Sequence, residues 1–410
     1  MGVSQGYSSI VTNGLVFAYD VADTRNSYLG RPTSNVLANA GMSIYNNVPG
    51  NVSATLTATG ETYRGATVYK QTLTAADASG ASYLSGCNNP GIGVVTGGGG
   101  GNANQYSGHS IYFKTTVPMC GCPCYTNYSN IGGWQSNCNI EDVGDGWFRA
   151  YVLWYNTITQ GDGKYWAINP ASTSVGQTVT IYWAGPFRED LNSQTISQFV
   201  NGSRSTSQAV IDIAASRTMT VNNNPFTTPA INPQLTFDGS DDYLNLDVNS
   251  IPTGNQITVE FIAAWNGGLQ PNSIIAGGAG GNQDLSLHLP WSDGNVYWDA
   301  GRPFNRIYKA ASSSEYLGNH HWVCTKNANT GVMEIYLDGN LWHSGGGLTS
   351  AMPSLSSASI GRYDNGSFQG YYYKGNIYVA KVYNRALSAG EVKQNFNHYK
   401  TRYNISPQIS

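Results

Sequence analysis

Between Val332 and Tyr399 the hydrophobic period changes twice. Met333, Ile335 and Leu337 alternate with Glu334 and Tyr336, the period-two signature of a half-buried strand. Asp338-Gly339 follows and supplies residues tolerant of positive φ for a tight hairpin turn, and Asn340, Leu341 and Trp342 begin the return strand. After Gly375-Asn376 comes a mostly apolar run, Ile377 to Tyr383, which reads as a strand covered on both faces. The period then becomes helical. Ser388 stands three residues before Glu391, a capping-box pattern, and Val392, Phe396 and Tyr399 fall on one helical face.

The preceding chain shows short strands separated by turn signals. Ile257, Val259, Phe261 and Ala263 alternate with Thr258, Glu260 and Ile262, and Leu285, Leu287 and Leu289 alternate with Ser286 and His288. Val296-Tyr297-Trp298 and Trp322-Val323-Cys324 add further strands. Nearer the N-terminus, candidate strands are Gly14–Asp20, Ala54–Thr59, Thr67–Thr72, Ser110–Thr115, Trp147–Tyr155, Tyr165–Ile168 and Thr178–Ala184. Phe148, Ala150, Val152 and Trp154 are expected on one face, with Arg149, Tyr151, Leu153 and Tyr155 on the other. Residues 206–233 carry Asn222-Asn223-Asn224-Pro225, Thr227-Thr228-Pro229 and Asn232-Pro233, which reads as a linker with a short strand near Ile211. No heptad seam predicts a coiled-coil stalk.

Three stretches resemble known families. His320-His321-Trp322-Val323, Ile335-Tyr336-Leu337-Asp338-Gly339 and Gly375 to Glu391, with Tyr383-Asn384-Arg385-Ala386-Leu387-Ser388 the most specific, are similar to the C-terminal half of laminin-G-like, concanavalin A-like jelly rolls. Leu235 to Leu244 resembles that family's opening strand, so the resemblance covers roughly 232–403; Tyr378 stands where an acidic residue is common. Gly144-Asp145-Gly146-Trp147-Phe148-Arg149 and Ile181-Tyr182-Trp183-Ala184-Gly185-Pro186, with Glu189 shortly after, resemble family-4-like carbohydrate-binding jelly rolls of phage fibre proteins, although Phe187 replaces their usual Gln. Gly14 to Asp20, with Ala22-Asp23 and Asn26-Ser27-Tyr28, is similar to the opening of phage virion proteins that carry such jelly rolls; read without the resemblance, it is an edge strand of the first sandwich.

Composition narrows the class. With 49 glycines, 28 tyrosines and only 11% charged residues, the chain favours short strands over long helices. A net charge of −3 and the lack of basic runs give no reason to expect nucleic acid as a partner. The first residues have neither a cationic start nor a long apolar core, so no secretory signal is expected, and no transmembrane run is seen. A particle assembled in host cytoplasm and released by lysis reconciles this with an extracellular-looking composition; a trimmed secreted chain would mimic it.

Candidate chemistry is sparse. Cys87, Cys120, Cys122, Cys124 and Cys138 cluster in sequence, and Cys324 stands alone. Three readings stay open for the five: a zinc site, although C-x-C-x-C is awkward for one tetrahedral ion; one or two disulfides; or reduced, partly buried thiols. None of the seven glutamates lies in the E-x-D-x-x-E or E-x-D-x-E spacing of retaining glycosidases on this type of fold, and Glu334 and Asp338 share a hairpin in which Asp338 is accounted for by its turn, so hydrolysis is not expected. G-x-S-x-G and H-E-x-x-H are absent, and His320-His321 read as ordinary residues of a strand entry. Asp238, Asp241 and Asp242 are either turn residues or a calcium site of the kind laminin-G-like domains often hold at a loop rim. Aromatic side chains stack on the apolar faces of sugar rings, which makes Trp134, Trp154, Tyr155, Tyr165, Trp166, Trp291, Trp298, Tyr371, Tyr372 and Tyr373 candidate glycan contacts, with core packing the default for any one of them.

The expectation is an all-β protein of two tandem antiparallel β-sandwiches (jelly rolls) with a short C-terminal helix. Its segments are 1–34 at the N-terminus, a carbohydrate-binding-module-like sandwich over 35–205, a linker over 206–231, a laminin-G-like sandwich over 232–403 and a tail over 404–410. The expected role is non-enzymatic: a phage virion component, located in a fibre, tail or capsid surface. Its expected partners are host-surface polysaccharide, other virion proteins and further copies of itself, with no membrane, no nucleic acid and no cofactor beyond the candidate calcium. Alternatives are a secreted carbohydrate-active enzyme or its binding modules, and a purely structural decoration protein.

Overall fold

Period-two alternation produces sheets throughout. The computed structural model describes residues 9–23, 27–29, 33–35, 37, 41–44, 48–84, 94–96, 105–120, 124–126, 139–156, 164–166, 169–170, 173–191, 196–197, 199–200, 203–205, 209–223, 226–227 and 234–405. The architecture is mostly β, with several antiparallel sheets and one short C-terminal helix. Two compact units form, residues 1–31 together with 205–410, and residues 32–204.

The first unit has two eight-stranded sheets that share one core. In one sheet Lys374–Tyr383 lies beside Gln256–Trp265, followed by His320–Asn327, Val332–Leu337 and Asn340–Gly345. The other runs in the order Val210–Asp212, Arg217–Asn222, Tyr243–Asn245, Ser357–Ile360, Ile275–Ala279, Asn282–His288, Asn295–Ala300, Asn305–Ala310. Met333, Ile335 and Leu337 enter the core as their alternation predicts, and from Ile377 onward the late strand is buried on both faces. Asp338 and Gly339 take φ of 50° and 77°, closing the predicted hairpin. A Cβ on Gly339 would lie 2.9 Å from the Phe396 ring, so the helix Ala389–Tyr399 packs directly on this turn. The Ser388/Glu391 capping box is formed, and Arg385 grips the same carboxylate at 2.6 and 2.9 Å.

The N-terminal strand does not edge the first sandwich. Leu15–Asp20 pairs with Lys374–Tyr383 from Leu15↔Tyr383 to Asp20↔Val379, while Gln234–Asp238 pairs with the other half of that strand, from Leu235↔Ile377 to Asp238↔Lys374. Two short strands thus complete one edge, and Phe17 and Tyr19 are buried in the shared core. The stretch 206–231 also differs from a plain linker. Val210–Asp212 and Arg217–Asn222 extend the second sheet and bury Val210, Met219 and Val221. Their apolar residues are too few and too widely spaced to stand out against the Asn- and Pro-rich surroundings. Tyr28 bridges to Val210, Leu29 N–H donates to the Ala209 carbonyl at 2.9 Å, and Ile211 N–H to that of Ser27 at 2.7 Å. The chain therefore leaves the first unit and re-enters it at adjacent points, and 32–204 is an insertion in sequence.

That inserted unit has a six-stranded sheet in the order Asn139–Gly144, Trp147–Asn156, Gln105–Thr115, Thr178–Leu191, Ala66–Ala75, Val52–Tyr63 and a four-stranded sheet that includes Met42–Ile44, Val94–Thr96, Lys164–Trp166 and Cys124–Thr126. Ile111, Phe113, Ala150 and Val152 join one core cluster, while Tyr112 and Trp147 join another on the opposite face. Gly144, Asp145 and Gly146 all have positive φ and turn the chain into Trp147, which stacks on Tyr63 at 4.2 Å. Arg149 is fully buried and donates to Ser110 Oγ at 3.1 Å and to the Ser197 carbonyl.

Candidate functional site: an aromatic pocket over a paired carboxylate

Alternation in the second sheet of the first unit sends Leu285, Leu287, Val296, Trp298 and Ile307 into the core. Period two then places Ser286, His288, Tyr297, Asp299, Arg306 and Tyr308 on the opposite face. Register aligns them in two rows. Ser286 lies opposite Asp299, and Asp299 opposite Arg306; His288 lies opposite Tyr297, and Tyr297 opposite Tyr308.

Asp299 is completely buried and anchors the first row. Arg306 Nε and Nη2 donate to its two oxygens at 2.6 and 2.8 Å, a bidentate pair that raises the guanidinium pKa. Ser286 Oγ donates to Asp299 at 3.0 Å, and Gln283 Nε2 donates both to Asp299 and, at 2.7 Å, to Ser286 Oγ. The Arg306 guanidinium also sits 4.6 Å from the Tyr297 ring centre. His288 Nδ1–H donates to the Asn272 carbonyl, and Nε2 lies 3.2 Å from Ser286 Oγ. Burial lowers the His288 pKa against the pull of Asp299, so its ring is neutral at neutral pH.

Aromatic walls stand above this floor. Trp291 contacts His288 edge-on at 4.6 Å and Tyr371 at 5.2 Å; Phe368 lies 5.1 Å from Tyr371 and 6.0 Å from Tyr363. Together with Gln283, Tyr297, Arg306 and Asn365 they enclose a cavity of about 410 Å³. Tyr371 has φ of 50°, a left-handed conformation that is costly for a bulky side chain, and its carbonyl accepts from Ser273 N–H at 2.9 Å. The strained turn presents an aromatic ring, 40% exposed, at the cavity wall. At the strand end Asp293 accepts from the Tyr297 hydroxyl at 2.5 Å. Hydrogen bonds from Tyr297 and Asn295 outweigh the upward push of burial and lower the Asp293 pKa.

Of the ten glycan candidates, Trp291 and Tyr371 line this cavity. Trp298 and Tyr373 do not: both are core residues with no exposed surface, Trp298 donating to the Thr325 carbonyl at 3.0 Å and Tyr373 packing on Phe237 and Trp265. Trp166 is likewise core, in the inserted unit. A large aromatic on the inward phase of a strand is worth more as core filling than as surface. Tyr372 is half-buried near Tyr243, away from the cavity lining. Trp134 lies outside the described residues, as do the side chains of Trp154, Tyr155 and Tyr165. Sequence reading missed His288, Tyr297, Arg306, Tyr363 and Phe368. The outward phase of the 285–289 and 296–298 alternations marked the first two; the cross-strand register that joins them to Arg306 leaves no local signal.

Asp238, Asp241 and Asp242 do come together, with carboxylate oxygens within 4.8 Å of one another. These groups already cap their turn: Asp238 Oδ1 accepts from Ser240 N–H at 2.7 Å, and Asp242 Oδ2 accepts from Asp238 N–H at 3.0 Å. The disulfide candidates Cys87, Cys122 and Cys138 lie outside the described residues, as do the side chains of Cys120 and Cys124; Cys324 is a buried free thiol. His320 and His321 are buried strand residues paired with Asp338 at 2.9 Å and Glu260 at 3.0 Å. Asp338 does more than shape its turn, because its carboxylate also accepts from His321 N–H at 2.9 Å. Tyr378, at the family's acidic position, donates its hydroxyl to Gln234 at 3.0 Å and packs on Tyr403.

Residues 238–393 match the family described as the concanavalin A-like lectin/glucanases superfamily. Solved structures with similarity include the binding domain of botulinum neurotoxin serotype G, 16% identical over 46% of this chain and 48% of that one, with a TM-score of 0.37. The serotype D binding domain is 16% identical over 47% of this chain and 49% of that one, with a TM-score of 0.36. A NanB sialidase from Streptococcus pneumoniae is 12% identical over 39% of this chain and 27% of that one, with a TM-score of 0.33. The chain thus spans about half or less of the solved chains it matches. No curated protein matches it in sequence.

Proposed function

We propose that this chain is a carbohydrate-binding adhesion protein and that the cavity walled by Trp291, Tyr371, Phe368 and Tyr363 is its sugar site. The carrying observation is the pairing of these rings with Arg306, Gln283 and Asn365 in one concave surface. Sugar rings are amphipathic: their C–H faces stack on aromatic rings while their hydroxyls need polar partners. The cavity size falls near the low end of about 300–1,000 Å³ typical of small-ligand sites, which suits a mono- or disaccharide unit of a longer chain. The match of 238–393 to a lectin-containing superfamily supports the same reading.

Binding without bond cleavage is the reading favoured for this site. A glycosidase needs one carboxyl that can give a proton and a second that can attack or activate water. Here Asp299 has both oxygens committed to Arg306, and Asp284, on the adjacent strand, is bound by Arg302 at 2.7 Å. We place the protein in a bacteriophage particle, as a fibre, tail-adhesion or capsid-surface component contacting host-surface glycan and neighbouring virion proteins. Support comes from the resemblance of Gly14 to Tyr28 to the opening of phage virion proteins. Many copies on one particle would convert weak single-site binding into firm adhesion. A glycan array probed with the whole chain and with Trp291→Ala tests the sugar reading: array signal lost in the variant supports it, and signal unchanged by the substitution removes the pocket from the account. Locating the chain by electron microscopy of purified particles tests the particle reading, which fails if no virion contains it.

A further inference from the structure

We infer that the pocket discriminates against acidic sugars, taking uncharged saccharide units in preference to their uronate counterparts. This rests on the carbohydrate reading above and narrows its ligand class. Fixed charge in and beside the cavity wall is placed against an anion. Arg306 stands in the cavity wall with its guanidinium held by Asp299 and laid on the Tyr297 ring, so it cannot swing towards a ligand carboxylate. The Arg306 charge is already neutralised by a bidentate carboxylate, and the Asp293 carboxylate, joined to the Tyr297 hydroxyl at 2.5 Å, adds a negative charge beside the wall. Arg306 is matched by Asp299 and His288 is neutral, so no uncompensated positive group among the cavity's lining residues faces the ligand.

Polar contact remains available to a neutral ligand. Arg306 uses Nε and Nη2 on Asp299, which leaves Nη1 to donate to a hydroxyl or an acetamido carbonyl. The Gln283 amide oxygen has only a long contact, 3.4 Å, from the Tyr363 hydroxyl, and can accept a sugar hydroxyl proton. Four rings supply stacking surface that carries no net charge preference beyond their weak attraction for cations, and Arg306 already occupies one face of Tyr297.

The test is an array and then calorimetry with matched gluco and galacto oligosaccharides in two forms: neutral and uronate. The whole chain at neutral pH and low salt is used beside Trp291→Ala. The expected result is Trp291-dependent binding of neutral members, with uronate counterparts weaker by about tenfold or more. Asp293→Asn, a change at an exposed position, is expected to narrow the neutral–uronate gap by about threefold. Trp291-dependent binding of a uronate as tight as its neutral partner overturns the selectivity while leaving the sugar site intact. A complete lack of Trp291-dependent binding overturns both.

Discussion

Two fully buried carboxylates in the same sandwich, Glu260 and Asp299, have opposite surroundings. Glu260 accepts from Lys381 Nζ at 3.1 Å, His321 Nε2 at 3.0 Å, Asn395 Nδ2 at 2.7 Å and the Tyr383 hydroxyl at 3.2 Å. All four donors are themselves buried, and the Tyr399 ring lies 4.2 Å from the Lys381 ammonium. Asp299 is as well bonded, but its cation, Arg306, has a side chain 36% exposed and reaches a cavity walled by aromatic rings. A buried charge needs partners wherever it is. What separates a structural cluster from a candidate site is whether the partners end in packed side chains or in a concave surface with unused donors.

The comparison breaks most readily at Glu260. Replacing it by Gln leaves Lys381 buried without its counter-charge, and the loss in unfolding free energy is expected to be about 3–5 kcal/mol by urea titration. Sugar affinity of the folded fraction is expected to stay unchanged. The same carboxyl gives a pH signature. Burial would raise it from the ordinary value of 4.5, but Lys381 and His321 outweigh burial and hold it at about 2. A lowered folded pKa means that this contribution is complete above pH 4.5 and is lost as pH falls towards about 2. Wild-type stability is expected to drop through that window, and Glu260→Gln to flatten the drop.

On the pocket side the effect moves from stability to binding. Trp291→Ala removes a half-exposed ring, so affinity for a bound saccharide is expected to fall by about 2 kcal/mol, roughly thirtyfold, with thermal stability changed by less than about 1 kcal/mol. Ser388→Ala sharpens the other side. It removes the cap of the helix that seals the Glu260 cluster and is expected to cost about 1 kcal/mol in stability with no change in sugar binding. The smallest stability change is expected for Tyr371→Gly, where relief of the left-handed backbone offsets lost packing to within about 0.5 kcal/mol. Affinity is expected to fall in the same variant, the mark of strain retained for binding.

Much of the fold was legible in the chain. Alternation at 285–289, 333–337 and 148–152, the Asp338-Gly339 turn and the Ser388/Glu391 box each specify their local structure through side-chain period or turn chemistry, and each is found as read except that Tyr336, expected on an open face, is buried with Leu387 and Val392. The destination of Leu15–Asp20 was not legible, because one apolar strand does not encode its partner 360 or so residues away; that pairing depends on an edge left half-covered by Gln234–Asp238. The site was legible only in part for the same reason. Trp291 and Tyr371 stand out by residue type, whereas Arg306 gains its meaning from lying opposite Asp299, a matter of register. Trp298 and Tyr373 show the converse: residue type suggested a surface role, and strand phase sent them inward.

Crystallography of the whole chain soaked with a neutral oligosaccharide selected from the array tests the central claim most directly. The account predicts a pyranose ring stacked in the cavity against Trp291 and Tyr371, with a hydroxyl or acetamido oxygen within hydrogen-bond distance of Arg306 Nη1. A sugar bound at full occupancy elsewhere on the molecule, with this cavity holding only solvent, would contradict it.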